Sequence, residues 1–276
     1  MTDRAEWEGR VGRTWAAEWQ RTDRSFAALT ERLLGAATDA AFAQALDIGC
    51  GAGEVSLALA RANPSAQVIG VDVSDELLAA ARVRGADLPN LAFELGDAAG
   101  WTRAGVAPDL LVSRHGVMFF PEPVAAFAHF ADVAAADARL AFTCFRDPSE
   151  NAWASGLAAL LPPGLGAPPP PGEPGPFAFA DKAYVERILT EAGWRDVTFE
   201  AVDFPYVAGA GDDPVEDALS YFLVIGPAAR AAAQMEEHER AAFAERLRGF
   251  LRDHLENGRV ALQAGAWLVT ARASVR

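Results

Sequence analysis

Three glycines at alternate positions, Gly49, Gly51 and Gly53, follow a short apolar segment that ends in Asp47-Ile48. Glycine lacks a Cβ, so a backbone built this way can turn sharply and let a ligand approach closely. A helix beginning just after the turn would aim its N-terminal amides at whatever occupies it. Two further acids stand in similar places: Asp72 after Val68-Ile69-Gly70-Val71, and Asp97 after Leu91–Leu95 and Gly96. Glycine amides with carboxylates at neighbouring strand ends suit a nucleotide-like ligand. A dinucleotide fingerprint asks for G-x-G-x-x-G. Here the third glycine comes one place early, and Glu54 stands where the fingerprint wants it.

These residues need a sheet to bring them together. Ala45–Ile48, Gln67–Val71, Leu91–Leu95, Asp109–Ser113 and Arg139–Phe145 read as five strands. Helices over Glu54–Ala62, Asp75–Arg84 and Pro123–Ala135 alternate with them, Ser74 capping the second. Alternation with short connections predicts a parallel sheet with helices on both faces, and ligands at the carboxyl ends of its strands. Asp47, Asp72, Asp97 and Ser113 all fall at such ends.

The flanking segments complete the domain. Over Met1–Gly35, Trp7, Val11, Trp15, Trp19, Phe26, Leu29 and Leu33 make one apolar helical face. This face serves either to pack a helix on the domain or to close a lid. Leu161–Pro176 is dense in proline and reads as an irregular surface loop or a substrate wall. Beyond it come a helix capped by Asp181, a sixth strand over Val197–Phe204, a helix from Pro214 to Ile225, one over 228–256, and a last strand over Ala266–Arg272. The expected fold is a single α/β domain, doubly wound, with a mostly parallel, seven-stranded Rossmann-like sheet. Its parts are a helical lid over 1–40, a cofactor core over 41–146, a proline-rich cover over 147–180, and a sheet-completing portion over 181–276 with a helical insertion at about 212–258.

Composition narrows the partners. The 276 residues carry a formal net charge of −14, and six arginines between Met1 and Leu34 are offset by six acids. That balance disfavours nucleic-acid phosphates and anionic lipid. No apolar run is long enough for a membrane span, and the charged N-terminus lacks a signal-peptide core, so a cytoplasmic protein is expected. Cys50 and Cys144 make no disulfide framework, and no metal site is expected. In a 3-2-1-4-5 sheet the two thiols would stand roughly 10 Å apart.

Taken together, Asp47-Ile48-Gly49-Cys50-Gly51-Ala52-Gly53, Val68–Ser74 and Gly96-Asp97-Ala98 resemble the successive motifs of class I S-adenosylmethionine-dependent methyltransferases. Ser113–Pro123, Pro174–Asp181 and Trp267–Arg272 look like a bacterial small-molecule branch, loosely similar to quinone-biosynthesis C-methyltransferases. The resemblance implies S-adenosylmethionine as cofactor. Gly49 and Gly51 would approach its methionine carboxylate, while Asp47 supports the turn or the ammonium. Asp72 would accept from the ribose hydroxyls, Val73 pack on adenine, Asp97 and the Ala98 amide meet the adenine edge, and Ser113 border the methionine portion through its backbone. Where relatives turn through proline and two glycines, this chain has Ala134-Ala135-Ala136-Asp137-Ala138.

Acceptor candidates are Trp15, Trp19, Arg114, Met118 and Phe119. His115 stands where an aromatic residue is expected, and either fills that slot or serves as a general base. Ser113-Arg114-His115-Gly116 is not the Asn/Asp-Pro-Pro-aromatic segment of amino-group methyltransferases, and no Pro-Cys nucleophile is present. The expected activity is O- or C-methylation of a small aromatic or apolar acceptor by in-line displacement, with proximity and desolvation as the main contributions. An NAD(P)-dependent oxidoreductase and a non-catalytic S-adenosylmethionine-binding module are the competing readings.

Overall fold

The computed structural model describes residues 4–162, 165 and 173–274. Five parallel strands form the centre of one sheet: β1 (Gln44–Ile48), β2 (Gln67–Asp72), β3 (Leu91–Leu95), β4 (Leu110–Arg114) and β5 (Arg139–Phe145), in the order 3-2-1-4-5. Strands β1 and β4 are almost continuously buried because helices cover both faces of a parallel sheet. The sheet continues antiparallel from β5 to β8 (Arg259–Ala273) and then to β6 (Trp194–Gly209) at the edge.

The sheet has eight strands rather than the expected seven. The extra one, β7 (Leu255–Glu256), is a two-residue partner of β8, joined to it through Asn257-Gly258. Both turn residues have positive φ, 50° and 73°, the conformation a two-residue hairpin of this kind needs. Strands β6 and β8 also run much longer than the sequence suggests. Strand β6 continues through Pro205 because it is an edge strand, where a missing N–H is tolerated. Within β8, Gly265 pairs with Asp203 and leaves room for Arg146, whose Cζ lies 3.1 Å from where a Cβ would stand.

Three helices precede the sheet: α1 (Arg4–Trp7), α2 (Arg10–Ala17) and α3 (Trp19–Ala37). Helix α3 lies across the sheet and buries Thr22, Ser25, Phe26, Leu29, Thr30, Leu33 and Ala37, a stripe at helical spacing. The crossover helices are α4 (Glu54–Ala62), α5 (Asp75–Arg84) and α6 (Pro123–Val133). The expected proline-rich cover opens instead as a helix, α7 (Ala152–Leu160); residues 163, 164 and 166–172 of that cover lie outside the described ones. After α8 (Lys182–Glu191), capped by Asp181, the segment before β8 holds α9 (Pro214–Val224), α10 (Gly226–Ala232) and α11 (Glu237–Asp253). The single helix expected over 228–256 is therefore two. Glu236 and Glu239 form a reciprocal capping box that starts α11 afresh.

Asn151 anchors α7 to the sheet. Its side chain is fully buried, accepts from the Gly265 amide (3.1 Å) and Trp153 Nε1 (3.1 Å), and donates to the Gly265 carbonyl oxygen (3.2 Å). Replacing it with alanine strands both donors away from water. We expect Asn151→Ala to lower stability by about 2–3 kcal/mol, read as a shifted urea midpoint at unchanged slope. A shift below about 0.5 kcal/mol would show that α7 is held by apolar packing alone.

Candidate active site

The glycine turn sits directly on the end of β1. Gly49, Gly51 and Gly53 have φ of 64°, 55° and 85°, all in the left-handed region. Each also answers a different spatial demand. A Cβ at Gly49 would stand 3.1 Å from Gly116 Cα, and one at Gly53 would strike Phe93 at 2.8 Å. A Cβ at Gly51 would meet nothing within 4 Å, so this is the glycine whose bare backbone faces open space. The Gly49 and Cys50 amides donate to the Val71 carbonyl oxygen, at 2.9 and 3.1 Å. Asp72 braces the turn from the neighbouring strand: Oδ2 accepts from the Gly51 amide (2.8 Å) and Oδ1 from the Ser74 amide (2.9 Å). Helix α4 starts immediately afterwards.

Around this turn lies a cavity of about 510 Å³, at the carboxyl ends of β1 to β5. Asp47, Gly49, Gly51, Asp72, Val73, Asp97 and Ala98 all line it. Asp47 is buried and accepts from Ser56 Oγ at 2.6 Å; burial pushes its carboxyl up to about 6. Burial likewise raises Asp72, against the pull of its amide donors. Asp97 accepts from the Ala99 amide at 2.9 Å. The Ser113 side chain is fully buried behind the wall, donating to the Ile48 carbonyl oxygen (2.7 Å) and accepting from the Gly116 amide (3.2 Å). It fastens the end of β4 to the end of β1.

The other side of the cavity is aromatic. Trp7, Trp15 and Trp19 reach it from the N-terminal helices, and Met118 and Phe119 from the segment after β4. Trp7 packs against Trp15 at 5.7 Å and against Phe119 at 5.5 Å. The Arg84 guanidinium covers Trp19 at 3.8 Å. Among the wall residues that sequence reasoning missed are Asp23, Trp153 and Tyr206. Of these, Asp23 carried a signal, since it follows Trp19 by four residues and so shares its helix face.

Charges here are tightly paired. Arg114 contacts the Glu54 carboxylate, donates to Thr30 Oγ1 (3.0 Å), and lies 3.9 Å from Asp23. Asp23 also accepts from Arg84 at 2.6 Å. His115 has φ 59°, stacks on Phe145 at 4.0 Å, and places Nδ1 3.1 Å from the Thr143 carbonyl oxygen. Burial first, then the Arg114 charge, hold its imidazole down at about 3. The two thiols are free and buried, and burial pushes both upward.

A raised carboxylate weakens the fold as it ionises. The folded chain holds the Asp47 proton up to about pH 6, while the unfolded chain releases it near 3.8. Stability from this group is therefore greatest below 3.8 and is lost as pH rises to 6. Relative to the parent, Asp47→Asn should gain on the order of 2–3 kcal/mol between pH 4 and pH 7, measured by urea unfolding. A pH-independent difference would place the Asp47 proton elsewhere.

Comparison with known proteins adds a sequence match to this geometry. Residues 45–137 match a family model described as a methyltransferase domain. The trans-aconitate 2-methyltransferase of Methylobacterium radiotolerans is 44% identical over 78 residues, 28% of this chain and 28% of that protein. The enzyme of that name from Variovorax paradoxus is 40% identical over 80 residues, 29% and 30% of the two chains. The chain thus matches less than a third of the length of these relatives. The solved structure of the YcgJ protein of Bacillus subtilis has the same fold, with a TM-score of 0.55 at 16% identity over 92% of this chain and 99% of that one. The matched span opens at β1 and carries the glycine turn, Asp72 and Asp97, so the match to a methyltransferase domain falls on the part of the chain that builds the turn side of the cavity.

Proposed function

We propose that this protein transfers the methyl group of S-adenosylmethionine to a small, uncharged aromatic or apolar acceptor, by O- or C-methylation. The observation that carries the reading is the continuity of the cavity. One volume joins the Gly51–Asp72 turn to a wall of Trp7, Trp15, Phe119, Phe145 and Trp153. The residues fit the cofactor. Space stands open where Gly51 lacks a Cβ, and the Asp72 oxygens keep lone pairs beyond their amide donors. Asp47 supplies negative charge near the turn for an ammonium group.

When bound, S-adenosylmethionine supplies a methyl group already activated by its sulfonium. The chain contributes position and dryness. Aromatic side chains hold the acceptor's nucleophile in line and keep water from it, which suits a displacement whose charge spreads in the transition state. Trp15 and Trp19 act as part of a lid, fixed through Arg84 to the body of the domain. A net charge of −14 supports a small acceptor over a nucleic acid.

The cavity also argues against the tricarboxylate named for the relatives. Among the described charged residues lining it, Asp23, Asp47, Glu54, Asp72 and Asp97 face a single cation, Arg114, which is already paired with Glu54. A polyanion would meet carboxylates with no free cation to offset them, and like charges in a partly buried site repel strongly.

The test is release of S-adenosylhomocysteine from the purified protein with a panel of phenols, quinols and trans-aconitate. We expect turnover with a phenol or quinol and none above background with trans-aconitate; methylation of trans-aconitate alone would overturn the acceptor class. Trp15→Ala and Trp19→Ala should each lower turnover about tenfold or more. Unchanged turnover and cofactor affinity in both would remove the lid.

A further inference from the structure

One nitrogen on the cavity wall has no role in what precedes. His115 follows β4 and lines the cavity. Its backbone amide and its Nδ1 both reach the Thr143 carbonyl oxygen, each at 3.1 Å. A carbonyl oxygen can only accept, so Nδ1 carries the proton and Nε2 presents a lone pair. The ring cannot drift from this pose easily. Phe145 stacks on it at 4.0 Å and Phe26 meets it edge-on at 5.2 Å.

Nε2 is buried and has no hydrogen-bond partner among the described residues. An orphaned acceptor away from water is costly. The left-handed backbone at φ 59° adds a further cost for a residue with a side chain. A phenylalanine would stack on Phe145 equally well without stranding a nitrogen. Both costs fall on one residue of the cavity wall, beside the aromatic surface that would receive the acceptor. Held at about 3 by burial and by Arg114, the imidazole is neutral across the physiological range. A neutral imidazole of lowered basicity is better suited to accept a hydrogen bond than to take a proton from an acceptor hydroxyl.

We propose that His115 Nε2 is the hydrogen-bond acceptor that recognises an O–H or N–H group on the methyl acceptor. His115 is then a positioning and specificity residue, selecting an aromatic acceptor that carries a donor over an isosteric hydrocarbon. The inference rests on the methyltransferase reading above and adds to it the chemistry of the group presented. No proton is transferred in the step proposed; the donor's hydrogen stays on the acceptor while it is held.

The test uses the full chain saturated with S-adenosylhomocysteine and two probes of matched shape, 1-naphthol and 1-methylnaphthalene. Calorimetry of S-adenosylhomocysteine alone comes first, and failure of that ligand to bind would sink the methyltransferase reading itself. With it bound, the wild-type protein should take 1-naphthol about tenfold or more tighter than 1-methylnaphthalene. His115→Phe should erase that difference. Nitrogen-15 spectra of the histidine side chains give a readout that needs no variant to fold. Nε2 of His115 should remain unprotonated from pH 5 to pH 8, and its resonance should move with 1-naphthol and not with 1-methylnaphthalene. Equal or undetectable binding of the two probes, or an Nε2 that carries the proton, would overturn the proposal.

Discussion

Asp72 reaches across from β2 and accepts the Gly51 amide, and the rest of the site depends on that bond. The turn after β1 runs through three left-handed residues, so its amides point away from any regular ladder. Val71 takes two of them through its carbonyl oxygen and Asp72 takes a third. Both acceptors are in place because β1 and β2 pair with Ile48 opposite Val71, which leaves Asp72 one step beyond the last pair. Gly70 protects that register. A Cβ there would come within 2.8 Å of Cys50 Sγ, Phe93 and Ser56 Oγ together. Strand register and glycine placement thus cooperate to set a carboxylate and a bare backbone on the same cavity wall.

A second set of contacts ties the N-terminal helices to that wall. Arg84 donates to the Ala52 carbonyl oxygen at 2.6 Å and to Asp23 at 2.6 Å, while covering Trp19. Arg114, at the end of β4, contacts Glu54 at the start of α4 and donates to Thr30 on α3. One cluster therefore connects the glycine turn, the strand ends and α3. Buried pairs of this kind add little net stability, but losing one partner leaves the other charge stranded. Their contribution is to fix where Trp19 and Phe26 stand relative to the turn.

The sheet order, and the strand ends that bring Asp47, Asp72 and Asp97 to one cavity, were legible in the sequence because they are local. Strands β1 to β5 are short apolar runs, and Asp47, Asp72 and Asp97 mark where three of them end. Ser113 lies near the end of β4, and its side chain turns back to the Ile48 carbonyl oxygen. The full length of β6 and β8 was not legible, since passage through Pro205 and Gly265 depends on an edge and on a neighbouring arginine that no local pattern reveals. The aromatic wall was harder still. Trp153 sits in an alanine-rich helix with little amphipathic signal, and Tyr206 lies on the part of β6 beyond Pro205. They join Trp7 and Trp15 around one cavity only through tertiary packing.

A crystal structure with S-adenosylhomocysteine bound would test the central arrangement most directly. The ribose hydroxyls should lie within hydrogen-bond distance of the Asp72 carboxylate, with the amino-acid portion against the bare backbone at Gly51. Adenine should sit between Val73 and Ala98, its amino group toward Asp97. A ligand found away from the ends of β1 and β2, or one that leaves Asp72 bonded to the Gly51 and Ser74 amides alone, would contradict it.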